Sequence, residues 1–260
     1  MTVSNVFAFD IETVPDVEFG RRLFGLEGLS DKQVGYVMQT RQREQTGSEF
    51  LSLEQQRVVA ISVAMRTREG FKAWSLGEPD SPEAELVRLF FDAIERYSPT
   101  LVSWNGSGFD LPVLHYRALR HSVQAHRYWE TGDEDQSFRW NNYLGRFHWR
   151  HIDLMDVLAG YQGRGRVGLD RMALLLGLPG KLGMSGEQVW DAHLEGRSED
   201  IRNYCETDVI NTYLIYLRFE LMRGRLNPDE HDRECATVRA WLESAGKAHL
   251  AGFAGAWPVG

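Results

Sequence analysis

The strongest constraint on the fold of this chain is the segment Phe7–Thr13, an apolar stretch interrupted by two carboxylates. Its aromatic and β-branched residues predict a strand, and side chains two positions apart on a strand point to the same face. Asp10 and Glu12 would then lie side by side, where their charges repel unless a cation lies between them. Carboxylate oxygens are good ligands for hard divalent cations. The pair alone is a weak signal, because a solvated strand end gives the same pattern.

A second acidic motif follows the apolar residues 101–104. Asn105 opens a glycine-containing turn, and Asp110 lies where a helical pattern begins. Ordinary helix capping is the alternative interpretation, since Asp is favoured near helix N-termini.

A third motif lies inside a long predicted helix that begins near Ser198. Its apolar stripe includes Ile210, Leu214 and Leu217. Tyr204 and Asp208 are four residues apart and therefore share one face of this helix. Taken alone, such a pair is more often a half-buried aromatic residue beside a surface acid.

In this order and with these spacings, the three motifs resemble those of the DEDD superfamily of 3′–5′ exonucleases. Asp10 and Glu12 match its first motif, residues 105–110 its second, and residues 204–208 its third. The tyrosine in the third motif is typical of the tyrosine subclass, because the histidine subclass would have His where this chain has Asn203. The chain is most similar to free-standing bacterial proteins described as predicted exonucleases related to the proofreading domain of B-family DNA polymerases. The likeness extends from about residue 6 to residue 217 and includes the segment 169–181.

The resemblance implies an α/β, ribonuclease H-like fold, with a mixed β-sheet flanked by α-helices and the first-motif strand at its centre. It also implies a two-metal-ion mechanism with Mg²⁺ or Mn²⁺. Asp10 would bridge the ions, Glu12 and Asp208 would hold the one on the nucleophile side, and Asp110 would serve the leaving-group side. Tyr204 would orient the attacking water.

The implied activity is metal-dependent hydrolysis of phosphodiester bonds from the 3′ end of a single-stranded nucleic acid, with DNA favoured and RNA as the other candidate. Asn105 and Phe109 would lie beside the terminal nucleotide, although core packing explains Phe109 equally well. The alternative is a nucleic-acid-binding module, or one associated with a polymerase or repair protein, that keeps the fold with little turnover. An endonuclease of ribonuclease H type is a third interpretation, but it would not need Tyr204. DNA replication or repair proteins are candidate partners, and the oligomeric state is open.

The segment 126–150 is a candidate surface for single-stranded nucleic acid, because aromatic rings interleaved with arginines can stack on bases and meet phosphates. Trp129 and Trp140 are the predicted substrate contacts. The competing interpretation, slightly favoured, is that these rings pack against the core or a partner subunit. An acidic break at residues 130–135 predicts a solvated loop, which fits a hairpin reaching over the active-site cleft.

The hydrophobic periodicity predicts strands at residues 57–65, 71–76, 100–104 and 151–154, and helices at 29–43, 82–97 and 169–176. Ser81 is the predicted N-cap of the second helix, with Pro82 at its first helical position. We expect one exonuclease domain over residues 1–225, with inserts near 16–56 and 122–150. Residues 226–260 would form a C-terminal extension with one helix and a Gly/Ala/Pro tail.

Composition limits the remaining choices. Two cysteines in 260 residues exclude a disulfide framework, and with no secretory signal or membrane-spanning run we expect a cytoplasmic protein without membrane contact. The histidines show no zinc-binding spacing. The net charge of −8 argues against tight, nonspecific binding of duplex nucleic acid. Asp153 and Asp156 could support the metal site, but we favour a structural role for both.

Overall fold

The computed structural model describes residues 5–258, in which five strands form one mixed sheet of order β3-β2-β1-β4-β5. β1 lies at the centre, antiparallel to β2 and parallel to β4, and β4 is parallel to β5. Helices flank the sheet, so the predicted α/β arrangement with a central first-motif strand is confirmed. The strands are β1 (Val6–Pro15), β2 (Gln56–Thr67), β3 (Gly70–Ser75), β4 (Thr100–Ser103) and β5 (His151–Asp153).

The helices of the described residues carry the second and third motifs at the predicted places. Asp110 is the first residue of α4, and Tyr204 and Asp208 lie in the first half of α9. Among residues 5–258 no helix is long and apolar enough to cross a membrane. The helices are α1 (Val17–Phe24), α2 (Asp31–Thr46), α3 (Glu83–Tyr97), α4 (Asp110–His121), α5 (His126–Trp129), α6 (Leu154–Leu158), α7 (Leu169–Leu175), α8 (Val189–Leu194), α9 (Ser198–Met222), α10 (Pro228–Ser244) and α11 (Ala248–Ala256).

The alternation of side chains along β1 determines where its two carboxylates point. Phe7 and Phe9 pack into the layer formed by α3 and α4, whereas Val6 and Ala8 pack into the layer that contains α9. The strand keeps its regular register until a bulge after Glu12. Because Asp10 and Glu12 share the parity of Val6 and Ala8, they lie on the side of the sheet that α9 covers.

Helix α9 is buried around most of its circumference rather than along the single apolar stripe that the sequence predicts. Nearly all residues from Ile201 to Phe219 are buried, including Glu206, Thr207 and Asn211. The reason is its position, since α9 contacts strands β1 to β4 on one side and α7, α8, α10 and α11 on others. The third motif is therefore held in the interior of the protein.

The expected C-terminal tail is wrong, because most of that segment forms the additional helix α11. Leu250 and Phe253 are fully buried in the same core cluster as α9. Lys247 and His249 also pair with the buried carboxylate of Glu206, at 3.0 and 2.8 Å. The small residues of this helix permit close packing, which local sequence preference alone could not reveal.

Two further expectations about local structure are wrong. Ser81 does not cap α3, because the N-cap is Pro82 and the Ser81 hydroxyl instead accepts a hydrogen bond from the amide of Glu78 at 3.0 Å. Residues 122–150 contain no hairpin, only the short α5, a turn of 3₁₀-helix and loops. The acidic break folds into a turn in which the Glu130 carboxylate accepts the amides of Gly132 and Asp133 at 2.5 and 2.7 Å.

A buried ion network fixes the second half of α4 relative to the starts of α1 and α3. The Arg117 guanidinium donates to Asp16 at 2.6 Å and to Glu83, and all three side chains are almost fully buried. Asp16 also accepts the amide of Phe19 and so caps α1, a helix that the sequence did not reveal.

We expect Arg117→Ala to lower the free energy of unfolding by about 3–5 kcal/mol, because it removes the one buried cation that pairs with both Asp16 and Glu83 among the described residues. The measurement is equilibrium unfolding in urea. Arg88→Ala is the control, because Arg88 pairs with Asp92 on the surface, and its loss should cost at most about 1 kcal/mol. Equal costs for the two variants would contradict this account of the network.

Candidate active site

Four carboxylates from three separate elements lie close together beside β1. Asp10 and Glu12 come from β1, Asp110 from the start of α4 and Asp208 from α9. Glu12, Asp110 and Asp208 are buried, and Asp10 is partly exposed. Burial, followed by the charges of Asp110, Glu12 and Asp208, raises the pKa of Asp10 well above its ordinary value. The structure thus brings together all four acids of the sequence prediction.

The pKa values of Asp110 and Asp208 are raised as well. Burial, together with the charge of Asp153, raises the pKa of Asp110 to about 7, against hydrogen bonds from the amides of Ile11 and Asp110 itself. Burial likewise raises the pKa of Asp208 to about 6. Buried carboxylates that repel one another are stabilised in their charged form by a cation, and oxygen-only ligand sets favour Mg²⁺ or Mn²⁺.

At least one carboxylate oxygen of the site is free to coordinate such an ion. The Oδ1 atom of Asp208 is buried and accepts no hydrogen bond from the described residues. Ligand atoms of Asp10, Glu12 and Cys205 lie within 4.8 Å of one another. Burial and the neighbouring acids raise the pKa of the Cys205 thiol, which therefore stays protonated and lies within hydrogen-bond distance of Asp10. The carboxylates are accordingly the ligands that fit a divalent metal here.

The second motif is positioned by Asp153, one of the two ambiguous acids. Its carboxylate accepts the amides of Asn105 at 3.0 Å and Ser107 at 2.9 Å, and it also caps α6. Asn105 has a φ of 69°, a conformation that Asn tolerates better than most residues. Asp110 then accepts the amide of Ile11 at 3.2 Å, which ties the start of α4 to β1. Asp153 supports the loop that presents Asp110.

Tyr204 is almost fully buried, and its hydroxyl lies close enough to the carboxylate of Asp208 for each group to shift the pKa of the other. Burial and the charges of Asp208, Glu12 and Asp10 raise the pKa of the phenol far above its ordinary value. The hydroxyl therefore remains a hydrogen-bond donor at any physiological pH and is not a base.

Lys181 is the functional residue to which the sequence analysis assigned no role. Its ammonium lies 5.5 Å from the centre of the Tyr204 ring, and its charge lowers the pKa of both Glu12 and Asp208. Asp170 accepts the amide of Lys181 at 2.8 Å, and Asn211 donates to Gly180 at 2.9 Å, which fixes this loop against α9. The only signal in the sequence was the family-like segment 169–181, which ends at Lys181.

The predicted substrate contacts are less closely grouped. Asn105 and Phe109 lie in the second-motif loop, half-buried, and the Phe109 ring lies 5.3 Å from that of the exposed Phe50. Trp129 is 52% exposed beside the same loop, and Trp140 is 81% exposed with Arg139 above its ring. Their contact with substrate stays a prediction.

The aromatic residues of segment 126–150 fall into two groups, one packed in the core and one exposed at the surface. Tyr128, Phe138 and Tyr143 are buried, and the rings of Tyr128 and Tyr143 stack 5.6 Å apart. These three rings pack in the core. Trp129 and Trp140, in contrast, remain accessible to a ligand.

Comparison with known proteins places this geometry in a family. Residues 48–257 match the model of a family described as a predicted 3′–5′ exonuclease related to the exonuclease domain of PolB. The chain belongs to this family. The match includes Asp110, Tyr204 and Asp208, whereas Asp10 and Glu12 precede it, so their assignment rests on the motif resemblance and on their position beside the other acids. The resemblance drawn from the motifs is confirmed, and the mixed sheet flanked by helices agrees with the ribonuclease H-like fold that it implied.

A short segment of this family member also resembles a polymerase. Thirty-eight residues are 50% identical to DNA polymerase 1 of Sulfurisphaera ohwakuensis, which is 15% of this chain and 4% of the polymerase. The chain thus matches only a small part of that protein.

The raised pKa values predict how stability depends on pH when divalent ions are chelated. Between about pH 4 and pH 7 the unfolded carboxyl groups are ionised while Asp110 and Asp208 still hold protons in the folded protein. The folded state then binds more protons, so stability falls as pH rises through this window. We expect the melting temperature in EDTA to be lower at about pH 8 than at about pH 5 because of this proton linkage.

Asp208→Asn should flatten this pH dependence and raise the melting temperature at the higher pH, by about 2–4 °C for each kcal/mol of repulsion removed. Mn²⁺ should stabilise the wild type more than the variant, because the ion has lost a ligand. Asp92→Asn, a surface change of the same charge, is the control. A variant that melts earlier than the wild type in EDTA would show that Asp208 is structural.

Proposed function

We propose that this protein is a metal-dependent 3′–5′ exonuclease that hydrolyses single-stranded nucleic acid, with DNA favoured over RNA. The observation that carries the proposal is the convergence of four carboxylates with raised pKa values from three motifs, with Tyr204 beside them. Perturbed groups of this kind are concentrated at functional sites. The family supports nuclease activity in general, and the similarity to part of a DNA polymerase supports DNA as the substrate.

Asp10, Glu12, Asp110 and Asp208 would hold two Mg²⁺ or Mn²⁺ ions. When bound, such ions lower the pKa of an attacking water and stabilise the charge that develops on the phosphate. Following the family pattern, Glu12 and Asp208 serve the side of the attacking water and Asp110 the side of the leaving group, with Asp10 shared between them.

The remaining residues act by position and charge. Tyr204, protonated and buried against Asp208, donates a hydrogen bond that orients the attacking water. Lys181 is exposed near Glu12 and Asp208, so its ammonium can approach a phosphate beside the acids. Asp153 holds the second-motif loop, which keeps Asp110 in place during turnover.

The alternative, a binding module with little turnover, is less consistent with this site. A module that only binds nucleic acid gains nothing from four buried carboxylates, since these repel phosphates when no cation is bound. The wide pKa perturbation is instead what a catalytic metal site requires.

We expect Asp10→Asn and Asp208→Asn each to lower the rate of nucleotide release by at least about 100-fold, because an ion that supplies several kcal/mol of stabilisation loses a ligand. The assay follows shortening of 5′-labelled single-stranded DNA and RNA with Mg²⁺ or Mn²⁺. Asp92→Asn, which is on the surface, should retain full activity. If digestion runs from the 3′ end, an oligonucleotide with a blocked 3′ end should not be shortened. Retained activity in either the Asp10 or the Asp208 variant would contradict the proposed site.

We expect Tyr204→Phe to lower kcat by about 10- to 100-fold with little change in KM, because the lost hydrogen bond of about 1–3 kcal/mol forms mainly as the reaction proceeds. Steady-state kinetics on a short oligonucleotide measure both constants. Tyr36→Phe, on the exposed face of α2, is the matched control. A kcat equal to that of the wild type would assign Tyr204 to packing alone.

A further inference from the structure

A cavity of about 570 Å³ lies beside the second-motif loop, at the edge of the sheet formed by β5. We call it the β5 cavity. Its volume is within the range of pockets that bind small ligands. Its lining includes Ser107 and Gly108 of the loop, the acids Asp153 and Asp156, and the side chains of Trp129 and Arg146.

The solvent-facing charge of the β5 cavity is positive although two acids line it. Arg146 and Arg166 both pair with the carboxylate of Asp156, at 2.9 and 2.8 Å. The arginine side chains are 49% and 40% exposed, whereas Asp156 is buried and Asp153 is used by the second-motif loop. Each guanidinium has five N–H donors, so both retain free donors in a geometry that suits a phosphate.

The wall of the cavity also offers an aromatic ring and polar groups. Trp129 is half-exposed, and its ring lies 5.0 Å from that of His115. The Nε2 atom of His115 is buried with no hydrogen-bond partner among the described residues. Burial lowers the pKa of His115 to about 4, so the ring is neutral. A neutral imidazole can donate to or accept from an uncharged base.

The β5 cavity adjoins the acid cluster. Asp153 lies in its wall and is close enough to Asp110 to raise the pKa of that carboxyl. The loop 105–109 separates the two sites and leads directly into Asp110. A ligand in the cavity would therefore be separated from the carboxylates by this loop.

We propose that the β5 cavity is a nucleotide subsite, with the phosphate at Arg146 and Arg166 and the base against Trp129. Rings and arginines in combination are the means by which single strands are bound without reading sequence. The inference rests on the proposed function, because it takes nucleic acid as the substrate. The same chemistry would bind either a nucleotide within a strand or a free mononucleotide.

The test is binding without divalent ions, which separates the subsite from catalysis. The probes are a fluorescently labelled oligo-dT of about six nucleotides and free dAMP, both in EDTA. We expect Trp129→Ala to raise the Kd at least about fivefold, as the loss of a stacked base does. Arg146→Gln should weaken binding and reduce the slope of log Kd against log salt concentration for oligo-dT by about 0.7, the value for one phosphate contact.

Two surface changes serve as controls, Tyr36→Ala for the ring and Arg88→Ala for the charge, and both should leave the Kd unchanged. Arg146→Gln is expected to fold, because Arg166 still pairs with Asp156. Melting temperatures are measured for every variant. If only the oligonucleotide responds to the two cavity variants, the subsite takes a nucleotide within a strand, and if dAMP responds as well, it also takes the free nucleotide.

An unchanged Kd for both probes in both cavity variants overturns the subsite. Hydrolysis of the same oligonucleotide with Mn²⁺ is measured separately. Binding that depends on Arg146 and Trp129 without hydrolysis would reject the exonuclease proposal and keep the subsite. Hydrolysis together with a Kd that neither the Arg146 nor the Trp129 variant changes would reject the subsite and keep the exonuclease proposal.

Discussion

Repulsion among Asp10, Glu12, Asp110 and Asp208 is the physical constraint on which the rest of this structure depends. Burial in a medium of low polarity strengthens that repulsion and raises the pKa of all four carboxyl groups. Three separate elements must be held rigidly to keep such groups together. The central position of β1, the burial of α9 on several sides and the hydrogen bond from Ile11 to Asp110 supply that rigidity.

The other buried acids of the protein show that this cluster is unusual. Burial raises the pKa of Glu206, but His249 and Lys247 more than offset it and hold that pKa below its ordinary value. Asp16 and Asp156 behave likewise beside their arginines. Each of these acids is neutralised by a cation of the chain and stabilises packing between elements. Within residues 5–258, Lys181 is the one cation that lowers the pKa of any of the four acids, and this contrast distinguishes a site that needs an external cation from structural ion pairs.

The negative net charge of the chain is compatible with a nucleic-acid substrate once the charges are placed. The acids of the candidate site would be covered by divalent ions, which reverse the local sign. Beside them, Asp153 and Asp156 are buried, while Arg146 and Arg166 face solvent. The charge that a nucleic-acid strand would contact at this surface therefore depends on which side chains are exposed, and not on the net charge of the chain.

The sequence by itself determined the features that depend on neighbours along the chain. Period-two alternation placed Asp10 and Glu12 on one face of a strand, helical spacing placed Tyr204 with Asp208, and their order revealed the family. Only the tertiary structure decided which aromatic rings of residues 126–150 are buried, that α11 docks on Glu206, and that Lys181 approaches Glu12 and Tyr204. These contacts join residues far apart in sequence, and no local periodicity encodes them. They depend on which surfaces remain uncovered once the sheet and α9 have packed.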